Sequence, residues 1–350
     1  MKIKILFKTA MIALLSLFFL SCAARQSIKK TEAFWQNQLS KQEVSKISIP
    51  DSPHENKKGY GRYKLQSGHE MEYLKIGHQG EIIIFICGIL DDSIVTFSNM
   101  PVLIDKAEKG LCQLYFINLP GNGYSSIPNK YYFNPIYLKL CLEEFLRAKG
   151  LKEFSVVGNS NGCTVSMLLL SSNSYGKDFK IKNFWGFNPL LKKVSFWEMD
   201  KYQKLLVNTP SLMVQCIIQT PIIGRQLVKF TLGSVVNQWA WNIPKEQVDS
   251  FYNRLSSNYR CGIWSAYLKN ALNMMPELKV LCDKIYPTIS EQTERVILYS
   301  NPGDNWVPHE HVQEIAKRMK VQYIRLGNGH IPQRTHSRLV ENEILKYMNF

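Results

Sequence analysis

Residues 81–88, Glu81-Ile82-Ile83-Ile84-Phe85-Ile86-Cys87-Gly88, form a continuous apolar run ended by glycine. A strand with one covered face alternates apolar and polar residues. An unbroken run of this length predicts a strand buried on both faces. Gln113-Leu114-Tyr115-Phe116-Ile117 repeats the pattern and is closed by Asn118-Leu119-Pro120-Gly121. Phe154–Val157, Arg295–Tyr299 and Val321–Leu326 read as further strands, and Phe184–Phe187 as a strand end. Helical spacing fills 136–148 and 163–170 and follows each of the last two strands. Strands alternating with helices predict a parallel sheet with helices on both sides. Arg62–Leu65 and Met71–Ile76, around Gln66-Ser67-Gly68-His69, predict a hairpin ahead of it. A chain that is 45% hydrophobic can fill the core such a sheet needs, which excludes a disordered or collagen-like chain.

One interruption breaks the alternation. Residues 190–290 are helical in pattern, cut by Pro210, Pro221, Pro244 and Pro276, and rich in aromatics such as Phe230, Trp239, Trp241 and Phe251. They read as a helical insertion between two core strands. The insertion carries twelve Lys/Arg against six Asp/Glu. Most of its aromatics are expected in its own core, with a few lining a pocket.

The chemistry is concentrated at strand ends. Gly158-Asn159-Ser160-Asn161-Gly162 follows one predicted strand directly and opens a helix. GxSxG arises by chance about 0.1 times in a chain this long, and the strand–helix context lowers that further. The glycines fit a turn so tight that neighbouring Cβ atoms would clash, presenting Ser160 above the sheet. A serine needs a base, and the base needs an orienting acid. The loop after Arg295–Tyr299 contains one carboxylate, Asp304. The loop after Val321–Leu326 contains one histidine, His330. All three positions lie beyond carboxyl ends of parallel strands, where sites in such sheets belong. Asp91 and Asp92 are expected in a turn and helix cap, and His309 and His311 on a solvated helix face.

From Tyr60 to Phe350 the chain resembles the α/β-hydrolase fold family, in its branch with a helical cap. Leu119-Pro120-Gly121-Asn122-Gly123-Tyr124-Ser125 is similar to the family's loop after the fourth strand, and Gly329-His330-Ile331-Pro332-Gln333 to its histidine loop. The resemblance implies a mostly parallel eight-stranded sheet flanked by helices. It divides the chain into core residues 60–189 and 291–350 around a cap at 190–290. It implies Ser160 as nucleophile, His330 as base and Asp304 as the orienting acid. Oxyanion donors would be the backbone N–H of Asn161 and of Ile89, with Leu90 as second choice. Cys87, Asn118 and Asn122 stand where the family usually has His, Asp and His, which puts the bracing of the oxyanion loop in question. A serine nucleophile argues against the dehalogenase and epoxide hydrolase branches. The implied activity is cleavage of a carboxylic ester, lipase or esterase in type, with no cofactor and no metal. Other acyl-bond or C–C hydrolysis, thioesterase, peptidase or acyltransferase chemistry, and a non-catalytic binding module, are the alternatives.

The first 21 residues read as a secretory signal: Lys2, Lys4 and Lys8, then an apolar run from Ala10 to Leu20. Phe19-Leu20-Ser21-Cys22 resembles a bacterial lipoprotein cleavage box, which would leave Cys22 lipidated as the first residue, with 22–59 as a tether. Phe34, Trp35 and Leu39 fit a short amphipathic helix in it or a partly ordered linker. The expected location is the bacterial cell envelope, with the outer membrane favoured over the inner, or secretion if the anchor is absent. The formal charge of +15 falls to +12 without the three leader lysines. For an exported chain this points to anionic lipid and a small acyl or lipid substrate rather than nucleic acid. Cys87, Cys112 and Cys163 sit in apolar runs and are expected to be buried. One disulfide among Cys141, Cys216, Cys261 and Cys282 is possible in an oxidising compartment. The anchor is testable: Cys22→Ala should release the protein from membranes washed in high salt, because stable attachment needs at least two acyl chains. A variant that still sediments with membranes under that wash would contradict it.

Overall fold

The computed structural model describes residues 52–348 apart from 90, 129–133, 171, 173–174, 192–197, 199–203, 205–207, 210 and 257–292. The leader, Cys22, Phe34, Trp35, Leu39, Leu90, Trp197, Cys261 and Cys282 lie outside the described residues. Eight strands form one sheet: β1 (Tyr60–Lys64), β2 (Glu70–Ile76), β3 (Glu81–Ile86), β4 (Cys112–Ile117), β5 (Glu153–Asn159), β6 (Lys180–Phe187), β7 (Arg295–Ser300) and β8 (Gln322–Arg325). Their order is β1-β2-β4-β3-β5-β6-β7-β8. β1 and β2 pair antiparallel as the expected hairpin, and β2 runs antiparallel to β4; every other pairing is parallel.

The apolar runs explain why helices cover both faces. Successive residues of a strand point to opposite sides. In β3, Ile84 and Ile86 enter one core and Ile83 and Phe85 the other. The first core is closed by α3 (Pro135–Ala148), α4 (Asn161–Leu169) and α8 (His309–Met319). The second is closed by α1 (Ser93–Phe97), α2 (Pro101–Glu108) and α10 (Ser337–Leu345), the last preceded by the short α9 (Pro332–Thr335). Between β6 and β7 the described residues form α5 (Ser211–Gln219), α6 (Pro221–Val235), a 3₁₀ turn (Ala240–Asn242) and α7 (Lys245–Ser256). These have a core of their own, with Val214, Ile218, Val228, Leu232, Val248 and Tyr252 buried together. Among the described residues no helix is long and apolar enough to cross a membrane.

Two local expectations change. Folded structure begins inside the segment read as tether: Ser52 and His54 are buried, and His54 Nε2 lies 3.0 Å from Asp92 Oδ2. An apolar pattern does not register this, because a single histidine finding a buried carboxylate leaves no periodicity. Cys141 is buried and free and Cys216 is exposed and free, so no disulfide joins them. Cys87, Cys112 and Cys163 are buried as expected.

The hairpin turn carries a pH-sensitive contact. His69 is 1% exposed, with Nδ1 2.8 Å from the Tyr137 hydroxyl and 3.2 Å from that of Ser67. Burial pushes its pKa from 6.5 down to about 4. The unfolded chain therefore binds a proton here that the folded chain refuses between those values. The contribution is complete above pH 6.5 and is lost as the pH falls to about 4, amounting to about 3 kcal/mol. Urea midpoints at pH 7 and pH 4.5 should show His69→Gln losing less stability on acidification than the parent. Equal losses would show that His69 is not the group responsible.

Candidate active site

The turn from β5 into α4 places Ser160 at φ 50° and ψ −119°, a conformation that a non-glycine residue adopts only when its surroundings impose it. Ser160 N donates to Phe187 O at 2.9 Å, and Cys163 N donates to Ser160 O at 3.1 Å. The glycines are there for space. A Cβ on Gly158 would lie 3.0 Å from the Cys163 backbone, and one on Gly162 2.6 Å from Cys87 O. The hydroxyl is thus fixed by backbone packing at the carboxyl edge of the sheet, and Ser160 is 7% exposed.

Asp304 and His330 meet as expected. Asp304 Oδ2 accepts from His330 Nδ1 at 2.9 Å, while its Oδ1 accepts from Trp306 N at 2.8 Å and Val307 N at 3.0 Å. Both carboxylate oxygens are satisfied on a side chain with no solvent exposure. With the proton on Nδ1, the network assigns the lone pair to Nε2. The Trp306 ring stacks against His330 at a centroid distance of 6.1 Å. Among the described residues no hydrogen bond joins Ser160 Oγ to His330, a separation that substrate-free sites commonly show.

What brings the histidine loop to the serine is a set of asparagines that the sequence reading did not single out. Asn159 Nδ2 donates to His330 O at 3.0 Å, and Asn188 Nδ2 donates to the same oxygen at 2.9 Å. Asn301 Nδ2 donates to Gly329 O at 3.0 Å. Asn188 holds a left-handed φ of 46° to do so. A signal was present: β4, β5, β6 and β7 each end at or just before an asparagine, namely Asn118, Asn159, Asn188 and Asn301. The cap grips the same loops. His330 N donates to Val235 O at 2.6 Å, Asn237 Nδ2 to Asn328 Oδ1 at 2.9 Å, and Trp306 Nε1 to Ser234 Oγ at 3.3 Å.

The loop after β3 passes directly beside the serine, since a Cβ on Gly88 would lie 3.1 Å from Ser160 Cβ. The Ile89 amide follows on this loop, and the Asn161 amide opens α4. Among the described residues neither amide donates a hydrogen bond. The loop is braced without the histidine usual in the resembled family. Asn122 Nδ2 donates to Gly88 O at 3.0 Å, and Cys87 N donates to Ser93 Oγ at 3.0 Å.

Asp91 and Asp92 do the structural work expected of them. Asp92 caps α1, with Oδ1 accepting from Ile94 N at 2.9 Å and from Asn118 Nδ2 at 2.9 Å. Burial opposes its charge. The His54 hydrogen bond and the charge of Arg254, with Nη1 at 3.8 Å, nevertheless hold its pKa down at about 2. Asp91 pairs with Arg334 Nη2 at 2.6 Å. His309 and His311 do not behave as a solvated pair: His311 is buried, with Nε2 2.9 Å from Glu198 Oε1. Trp239 and Trp241 are 79% and 68% exposed, so they line no pocket over Ser160. Ile89, Phe251 and Trp306, each half-buried, instead pack against the cap core, which includes Ile331.

No protein-family model and no curated protein sequence matches the chain. Solved structures do. An α/β-hydrolase fold protein from Burkholderia ambifaria aligns at TM-score 0.60 and 13% identity, over 86% of this chain and 99% of its own. A haloalkane dehalogenase from Bradyrhizobium elkani aligns at 0.59 and 15%, over 83% and 97%. A thermophilic esterase from Thermogutta terrifontis aligns at 0.59 and 13%, over 82% and 97%. With this strand order, the helices on both faces and the inserted cap, the chain adopts the α/β-hydrolase fold.

Proposed function

We propose that the protein is a serine hydrolase that cleaves a carboxylic ester through an acyl-enzyme. The observation that carries this reading is the buried Asp304–His330 hydrogen bond, held by asparagines from β5, β6 and β7 next to the Ser160 turn. Similar folds host different chemistry, an esterase and a haloalkane dehalogenase among them, so the fold does not select the reaction. The residue at the turn supports acyl transfer among them. A serine hydroxyl with a neighbouring imidazole suits acyl transfer.

In the proposed reaction His330 Nε2 takes the Ser160 proton as Oγ adds to the ester carbonyl. Charge passes to the carbonyl oxygen, which the N–H groups of Ile89 and Asn161 receive. Collapse of the tetrahedral adduct expels the alcohol, which leaves with the proton from His330. Water then adds to the acyl-enzyme by the same steps in reverse order, releasing the acid and restoring Ser160. Asp304 keeps Nδ1 protonated and stabilises the imidazolium at each stage. We place the protein in the bacterial envelope through lipidated Cys22. That rests on the N-terminal sequence alone and is separable from the chemistry.

Two experiments test this reading. A fluorophosphonate probe should label Ser160. Ser160→Ala and His330→Ala should each lower ester turnover by about 10³-fold, with the double variant little worse than either, because the groups act as one unit. Near-parental turnover in Ser160→Ala would end the proposal. For a lipid-type ester, kcat/KM should rise from p-nitrophenyl acetate toward the octanoate, since each buried methylene adds about 0.8 kcal/mol. With these soluble esters Trp239→Ala and Trp241→Ala should leave the profile unchanged, because both rings are largely exposed to solvent. A profile that peaks at acetate would restrict the enzyme to short acyl groups.

A further inference from the structure

Helix α6 is apolar on two sides. Val228, Leu232 and Val235 point into the cap core, as a surface helix requires. Ile222, Ile223 and Phe230 point the other way, with Ile222 80% and Ile223 58% exposed. The 3₁₀ turn extends this outer face. The Trp241 ring meets Phe230 edge-on at 5.9 Å, and Trp239 beside it is still more exposed. Burying apolar residues inward needs no such outer set, and single exposed apolar residues elsewhere on the fold do not cluster with two tryptophans.

The charge around this face is net positive, with Arg225, Lys229 and Lys245 against Glu246 and Asp249. Lys229 Nζ lies 4.7 Å from the Trp241 ring centroid. Next to it, Arg225, Lys229 and Lys245 line a cleft of about 290 Å³, floored by Ile243 and Val248 and carrying Asp249, which pairs with Arg225 at 3.0 Å. Two exposed indoles beside an apolar helix face, with lysines next to them, is the arrangement by which a protein lies in a membrane interface. The net positive charge favours a bilayer with negative headgroups, which would attract each lysine.

We infer that the outer face of α6 and the following 3₁₀ turn dock onto an anionic phospholipid bilayer. Ile222, Ile223, Trp239 and Trp241 enter the interface, and Lys229 and Lys245 meet lipid phosphates. This contact is separate from any acyl chain on Cys22, and it does not depend on the chemistry proposed for Ser160. It has a consequence for that chemistry, because the far end of α6 bonds His330 and the Trp306 loop. Docking would therefore set the cap and reaction centre against the lipid surface together.

The test uses the full mature chain carrying Cys22→Ala, so that no acyl chain holds it to lipid, on vesicles of phosphatidylglycerol and brominated phosphatidylcholine, reading quenching of tryptophan fluorescence. Trp239→Phe/Trp241→Phe should remove at least half of the quenching seen with the parent. Lys229→Glu/Lys245→Glu should raise the vesicle concentration for half-maximal quenching about 10-fold. The parent should lose quenching when phosphatidylglycerol is omitted. Ser160→Ala should be quenched as the parent is, so a failed hydrolase reading and a failed docking reading are told apart. Circular dichroism and fluorophosphonate labelling confirm that the tryptophan and lysine variants are folded. Undiminished quenching in Trp239→Phe/Trp241→Phe, equal quenching on neutral vesicles, or a dimer in solution that shields these tryptophans from a soluble quencher would each overturn the inference.

Discussion

The carbonyl oxygen of His330 accepts one hydrogen bond from Asn159 and another from Asn188, and the rest of the site is arranged around that oxygen. A histidine on a surface loop has no reason to stay within reach of one serine, because a loop gains entropy by moving. Here the loop is fixed by its backbone. Asn159 belongs to the serine turn, Asn188 to the end of β6, and Asn301, bonded to Gly329 O, to the end of β7. Each amide is buried and leaves an unpaired donor if the loop departs, at about 1–3 kcal/mol for each bond left unmade. The ring is then free to be aligned by Asp304 and by the stacked Trp306 ring.

A second buried network sets the other side of the site. Asn118, at the end of β4, donates to Glu72 at 2.6 Å and to Asp92 at 2.9 Å and accepts from Ser93 N at 2.7 Å. Asp92 in turn meets His54 from the segment before β1 and Arg254 from the cap. Charges so deeply buried are tolerable only when paired on several sides. The consequence is positional. The loop carrying Gly88 and Ile89 lies between these anchored groups and the Asn122 amide, so its path past Ser160 is set by hydrogen bonds rather than by a histidine after β3. The cap is tied into both networks, through Arg254 on one side and through Ser234, Val235 and Asn237 on the other. It is therefore part of the site's framework.

Much of this was legible in the chain, and the reason is physical. Strands buried on two faces leave unbroken apolar runs, so the sheet and its flanking helices could be read. A turn that excludes Cβ atoms leaves glycines at fixed offsets, so Ser160 could be read. A lone carboxylate and a lone histidine in two strand-end loops left little choice for Asp304 and His330. Partners that depend on distance across the fold were not legible. His54 was assigned to a tether, His311 to a solvated face, and the aromatics of the insertion, Trp239 and Trp241 among them, to its core or a pocket. In each case the local pattern was silent, because burial of one side chain depends on what the fold brings opposite it.

The sequence by itself determined the layers of the fold, the place of the insertion and the placing of Ser160, Asp304 and His330 at strand ends, since periodicity, glycine spacing and residue type are local properties. Only the tertiary structure decided how those residues are held: four asparagines at neighbouring strand ends converging on two loops, a cap bonded through the end of one helix, and an apolar helix face left outward. Those are facts about which atoms meet, and hydrogen bonds between residues 26 to 171 positions apart leave no periodic trace in the chain.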